Sequence, residues 1–415
     1  MAGYAARTEP GEGTLHPLWV KALALQDASG KQAVLVTSDL LGLPAIVSSR
    51  VAARIERAHG IARDRLMLTS SHTHSGPVIS RALQDVYPLD EDGWSRIDRY
   101  TAFLEDRIVE VVGDAVEQMA PAQLSASQGV TRFAINRRNN AAPGILTATE
   151  LDGPIDHSVP VLSVRTATGD LLAVVFGYAC HATVLDGQEW SGDYPGYAQI
   201  ALEEAYPGAT ALFFAGAGAD QNPLPRRTVA LAEQYGEELA AAVSRALVDT
   251  MRPLRSELEA SYSEVAIGLS APPPREALQE AAENASGYHQ RWATRMLREA
   301  AAGAAFPESY PYPIQMWRLG EQTLVALGGE VVVDYAISLK RLLGPDTFVI
   351  AYANDVMGYI PSTRVLREGG YEGATSQIVY GHPGTWRADL EPTIISEVLS
   401  EAGELGVLIP ASPLE

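Results

Sequence analysis

LMLTSSHTHSGP, Leu66 to Pro77, is the stretch on which the reading of this chain turns. Leu66, Met67 and Leu68 make the short apolar run of a buried strand. Ser70, Ser71, His72, Thr73, His74 and Ser75 follow, and Gly76 and Pro77 then stop regular structure. On an extended segment, residues two apart project from one face, so both imidazoles are expected to leave the strand end together. Strand ends of this kind are where an open α/β sheet holds its ligand. With 8 histidines in 415 residues, a close pair set among serines and a threonine reads as a site rather than as a solvated loop.

The segments before it supply a sheet. Ala33 to Val36 is a buried run ending on Ser38 and Asp39, a carboxylate that suits a helix cap and a site equally well. Pro44 to His59 carries Ile46, Val47, Val51 and Ile55 at helical spacing, and strand, helix, strand in this order implies a mixed or parallel sheet. Leu18 to Leu25 is expected to pair with it through a hairpin at Asp27 to Lys31. Beyond the histidines, the spacing predicts a helix from Arg96 to Met119 with Phe103, Leu104, Ile108, Val111, Val112, Ala115 and Val116 facing inward.

The same design then recurs. A strand-like segment ends in Asn136, Arg137, Arg138, Asn139 and Asn140, where an arginine serves either a surface loop or bidentate recognition. LLAVVFGYACHATVL places His181 at the end of an apolar run, followed by WSGDYPG with Asp193. ATALFFAGAGADQNPLP runs into a glycine-rich loop with Asp220, Gln221 and Asn222, and lacks the lysine of a phosphate-binding loop. One outer helix is expected from Arg275 to about Ala302. A hairpin then ends at Gly328, Gly329 and Glu330, where a helix start keeps a carboxylate ionised. TFVIAYANDVMGYIPS ends in Asn354, Asp355 and Tyr359, and Tyr371, Glu372 and His382 precede a final helix near Pro392 to Leu405.

Buried strands that end repeatedly in unusual polar residues imply one shared rim. The expected fold is α/β, with mixed central sheets flanked by helices and an active site at strand ends. Two or three imidazoles with a carboxylate match the ligand preferences of zinc, and the lone Cys180 rules out a cysteine framework and an internal disulfide. A catalytic zinc lowers the pKa of its water toward ~7, so the residues read as a metal hydrolase of open substrate. A net charge of −20 argues against a nucleic-acid partner. No apolar run reaches the ~18 residues of a membrane span. MAGYAARTEPGEG lacks a signal-peptide core, which favours a cytoplasmic over a secreted protein. Oligomeric state leaves no signature.

Taken in order, SSHTHSGP, FAINR, GYACHATVL with SGDYPG, GADQNP, GGE, and NDVMGYIPS followed by GGYEGATS resemble the neutral (non-lysosomal) ceramidase family, and MAGYAAR resembles its early glycine-tyrosine segment. The resemblance implies a single α/β catalytic domain over residues 1–415 that binds one zinc per chain. It implies His72, His181, Glu330 and Tyr359 as metal ligands, with Tyr359 an oxygen ligand that spacing alone does not suggest. His74 and Arg137 then stabilise the oxyanion as zinc-bound water attacks an N-acyl amide. Asp220 and Asn222 complete the catalytic set, and Gly3, Asp193, Asn354 and Tyr371 are candidate substrate contacts. Asn222 stands where the family has a serine, and an amide is no nucleophile, which points away from ceramide and toward a smaller soluble amide or ester. The family's immunoglobulin-like C-terminal domain and its mucin-like stalk are expected to be absent. Two other readings stay open: a metal hydrolase of another ester, lactone or sugar derivative, and a zinc-keeping binding protein without catalysis.

Overall fold

The computed structural model describes residues 1–138 and 153–408, so Asn139 and Asn140 lie outside the described residues. Val20–Gln26 pairs antiparallel with Gln32–Ser38, which pairs parallel with Leu66–Ser70 in the register Val34↔Leu66 to Ser38↔Ser70. The helix Ala45–His59 makes that parallel crossover and buries Val47, Val51 and Ile55 completely, as the spacing predicts, while Ile46, the fourth of that set, is exposed. A five-stranded sheet runs Thr210–Ala215, Leu171–Tyr178, Ser158–Arg165, Gln123–Val130, Arg252–Pro253. A four-stranded one runs Leu258–Gly268, Ser309–Leu319, Gln322–Leu327, Phe348–Ile350.

These sheets share one interior. Leu35 and Met67 of the first, Leu162, Val175, Leu212 and Phe214 of the second, and Trp317, Leu324, Phe348 and Ile350 of the third form one apolar cluster. Each such side chain contributes roughly 1.5–3 kcal/mol on burial, enough to hold the sheets in fixed relation. Backbone bridges at Thr69–Ala353 and Gly216–Ile350 stitch them together near their ends. Asn354 completes the seam: its N–H donates to Leu68 O (2.7 Å), its Oδ1 accepts from Leu68 N (3.2 Å) and its Nδ2 donates to Gln315 (2.9 Å). The segments that leave Leu66–Ser70, Leu171–Tyr178, Thr210–Ala215 and Gln322–Leu327 therefore emerge close together. Among the described residues, no helix is long and apolar enough to cross a membrane.

Three expectations change. The long helix is Glu91–Glu117, begun by Asp90, whose carboxylate accepts from Gly93 N. Phe103 is 55% exposed, because it lies about 100° round the helix from Leu104 and the buried stripe of Thr101, Leu104, Ile108 and Val112. The helix expected over Arg275 to Ala302 is two, Arg275–Asn284 and Gly287–Ala301. Asn284 and Ser286 favour local turns over helix, and Gly287 takes φ 63, which ends the run. Asp39 is neither cap nor site residue: buried, it accepts from Trp19 N (3.0 Å) and Gln199 Nε2 (3.2 Å).

Replacing Asn354 with alanine strands the Leu68 N–H and the Gln315 carbonyl in the interior. The expected cost is about 1–3 kcal/mol, read as a lower denaturant midpoint with unchanged slope.

Candidate metal centre

His72 arrives on the ladder and then leaves it. Ser71 N donates to Ser38 O (2.9 Å), and His72 turns to φ 58, a left-handed backbone uncommon outside glycine. His72 and His74 thus converge through a turn, and not through the strand alternation expected from their spacing. The His72 ring stacks on Tyr352 (4.2 Å between centroids), itself at φ 53. His181 follows the strand Leu171–Tyr178, and its N–H donates to Gln221 O (3.0 Å). Glu330 lies in a two-residue parallel bridge with Tyr359, which sets their side chains next to each other.

The ring nitrogens decide what this cluster is. His72 Nδ1 is 2.6 Å from Leu41 O and His181 Nδ1 is 3.1 Å from Gly218 O. A carbonyl only accepts, so each Nδ1 carries a proton and each Nε2 is turned toward Glu330. Both Nε2 atoms lie 3.1 Å from the same Glu330 Oε2, with all three residues buried. Burial opposes charge on Glu330, but His72 and His181 overturn this and hold its carboxyl well below the usual range. Burial and the Arg137 charge push His181 down to about 4, so it is neutral near pH 7. Facing acceptors in a buried space need positive charge between them, which a proton on one ring or a bound metal ion supplies.

A zinc ion with bonds of ~2.0–2.1 Å sets tetrahedral ligand atoms about 3.3 Å apart. The two 3.1 Å separations are of that order, and Tyr359 Oη lies 3.4 Å from His181 Nε2, within reach of the same point. His74 is the weaker ligand candidate. Its Nε2 is 3.2 Å from that of His72, so three imidazoles cluster, but its buried Nδ1 has no partner among the described residues. No carbonyl orients that ring, which sits instead against Tyr4 (4.9 Å) and Gly3. Gly3 has φ 101, and a Cβ there would come within 2.6 Å of His74 Cβ, so only glycine permits this approach.

Arg137 reaches the cluster from the side. It donates to Glu372 through Nε (2.7 Å) and to Tyr359 Oη (3.1 Å), and Asn222 Oδ1 is 3.5 Å from its third nitrogen. Tyr371 is 42% exposed, with its ring 5.2 Å from that of Tyr359. Three proposed site residues face elsewhere. Asp220 accepts from Val333 N and from Asn136, Asp193 accepts from the N–H groups of Val184, Leu185 and Tyr194, and Asn354 serves the sheet seam. Their polar atoms are committed to shaping the loops. The Gly3 N–H donates to Tyr87 Oη (2.9 Å).

Sequence reasoning missed Tyr380, whose hydroxyl donates to Glu330 Oε1 and leaves Oε2 alone to face the imidazoles. It lies in an irregular segment without a periodic signal, and only its tyrosine hydroxyl marked it. A cavity of about 880 Å³ is lined by Arg7 to Gly11 together with Tyr87, Ile97, Tyr100 and Trp190, and by none of the candidate ligands. If the cluster holds a divalent metal, Tyr380→Phe is expected to weaken its binding by roughly 10–100-fold with the fold intact, measured by chelator competition and thermal unfolding.

Residues 1–249 match the model of the neutral/alkaline non-lysosomal ceramidase N-terminal domain. Neutral ceramidase A of Dictyostelium discoideum is 24% identical over 220 residues, a match covering 51% of this chain and 30% of that protein, so under a third of the relative is spanned. Among solved structures, the neutral ceramidase of Pseudomonas aeruginosa superposes with a TM-score of 0.73 at 20% identity, covering 99% of this chain and 73% of the other. A ceramidase complexed with C2 gives 0.74 at 20% identity, over 100% of this chain and 75% of the other. The family match spans more than half of the sequence and the fold match nearly all of it: the chain belongs to the neutral/alkaline non-lysosomal ceramidase family.

Proposed function

We propose that this protein is a zinc-dependent hydrolase of N-acyl amides. The observation that carries the reading is the meeting of two carbonyl-oriented imidazoles and a carboxylate, with both Nε2 atoms 3.1 Å from Glu330 Oε2. Such a set, with Tyr359 as fourth ligand, suits one zinc ion per chain. When bound, zinc supplies Lewis acidity and lowers the pKa of a water toward ~7.

The remaining work falls to the chain. Glu372 fixes the Arg137 guanidinium, and the weakly engaged nitrogen near Asn222 is free to donate to an oxygen that gains charge. His74 faces the same point, and burial together with His72 lowers its pKa, so it enters as a neutral ring able to exchange one proton with the reacting amide. Tyr371 and Tyr4 flank the approach with aromatic faces. Asn222 offers an amide and not a hydroxyl, so the reading needs no covalent intermediate on that loop.

Elemental analysis of the purified chain is expected to find about one zinc, retained weakly or not at all in His72→Ala and His181→Ala. His74→Ala is expected to keep the metal and lose about 100-fold or more in kcat on N-acyl amides. A chain that binds no divalent metal, or whose amide hydrolysis survives both ligand substitutions, overturns the reading.

A further inference from the structure

The loop after Asn222 carries a second feature of the mouth. Arg226 is half-buried, and its one described contact is a long one, 3.4 Å from Nη1 to Thr183 Oγ1. Thr183 is two residues from His181. The adjacent Arg227 is tied down on both sides: its N–H donates to Val184 O (2.7 Å) and its Nη1 to Tyr4 Oη (2.8 Å), the ring that lies 4.9 Å from His74. Arg226 thus lies against the loop that bears His181, next in sequence to a residue bonded to the Tyr4 ring beside His74.

The surrounding charges make this position costly. Arg137 answers to Glu372, Arg138 to Glu368 and Glu372, and Arg227 to Asp186 at 3.3 Å. Arg226 has no ion pair among the described residues; burial and the charges of Arg227 and Arg137 disfavour its charge, and Tyr4 and Asp186 offset them in part. In a chain with 51 acidic and 31 basic residues, carboxylates are plentiful, yet among the described residues none lies within ion-pair distance of this guanidinium, and Asp186, which acts on it from further off, is paired with Arg227. A half-buried arginine held among other arginines is unfavourable until an anion arrives, and its planar fork suits a carboxylate or phosphate.

We propose that Arg226 is a specificity residue that receives an anionic group carried by the substrate close to the scissile amide, so that the preferred substrates are acidic N-acyl amides such as N-acyl amino acids. The chemistry rests on the amide-hydrolase reading; the recognition does not. N-octanoylglycine and its neutral counterpart N-octanoylglycinamide differ only in that charge. Their kcat/KM ratio is expected to favour the acid by about tenfold or more in the native chain. Arg226→Gln is expected to bring the ratio near one, and Arg226→Lys to retain part of it, with thermal unfolding confirming that both variants fold. A native ratio near one, or a preference unchanged in Arg226→Gln, overturns the proposal. If neither compound is hydrolysed, the amide-hydrolase reading fails by itself. Isothermal titration of the same two compounds then decides on Arg226, by the same ratio expressed in Kd and its loss in the glutamine variant. An N-octanoyl phosphoethanolamine arm separates carboxylate from phosphate preference, and equal treatment of both supports a general anion site.

Discussion

Two imidazole lone pairs and one carboxylate oxygen share a buried space, and that arrangement is unstable without positive charge between them. The neighbouring structure is built to maintain it. Leu41 and Gly218 carbonyls prevent either histidine from moving its proton to the inner nitrogen, and Tyr380 holds the outer oxygen of Glu330 so that the inner one stays aimed. None of these groups touches the central point, yet each removes one way in which the cluster could relax.

The backbone bears the same constraint. His72, Tyr352, Asn354 and Asp193 all take positive φ without being glycine, at 58°, 53°, 65° and 59°. Each such residue costs of order 1–3 kcal/mol and persists only where surrounding contacts determine it. Asn354 is held by Leu68 and Gln315, Asp193 by three amides it accepts from, and His72 by its Leu41 contact and the Tyr352 ring. Ser80, Leu83 and Arg227 also take positive φ, while the first four lie around the loops that carry the candidate ligands. A regular ladder would carry those side chains apart.

This division explains what the sequence disclosed. Apolar runs ending in polar residues identify the strands and the rim, because burial and alternation leave a periodic trace; His72, His181 and Glu330 were legible in that way. The reason for the His72–His74 approach was not, since a left-handed turn at a histidine has no compositional signature. Asp193, Asp220 and Asn354 look like site residues because a buried polar side chain at a strand end invites that reading. Whether it faces a ligand or a backbone amide depends on contacts distant in the chain, such as Asp220 with Val333. Tyr359 as a ligand came from family resemblance, and its place beside Glu330 follows from a two-residue bridge too short for any periodicity to show.

Asn222 fixes how the proposed chemistry differs from that of a site with a serine in its place. Its side chain lies 3.5 Å from Arg137, so it tunes the group that would meet the developing negative charge. An amide oxygen there draws on the guanidinium without competing strongly for it, because the contact is long and uncharged, whereas Glu372 at 2.7 Å sets its orientation. Without a hydroxyl on this loop, the proposed chemistry relies on water as the nucleophile, with the amine leaving as the acyl carbon takes the water oxygen. The loop's other contribution comes four residues later. In the proposed reading, the same short stretch that lacks a nucleophile carries Arg226, so the Asn222–Arg227 segment governs how a substrate's charge is received and leaves bond cleavage to the metal site and His74.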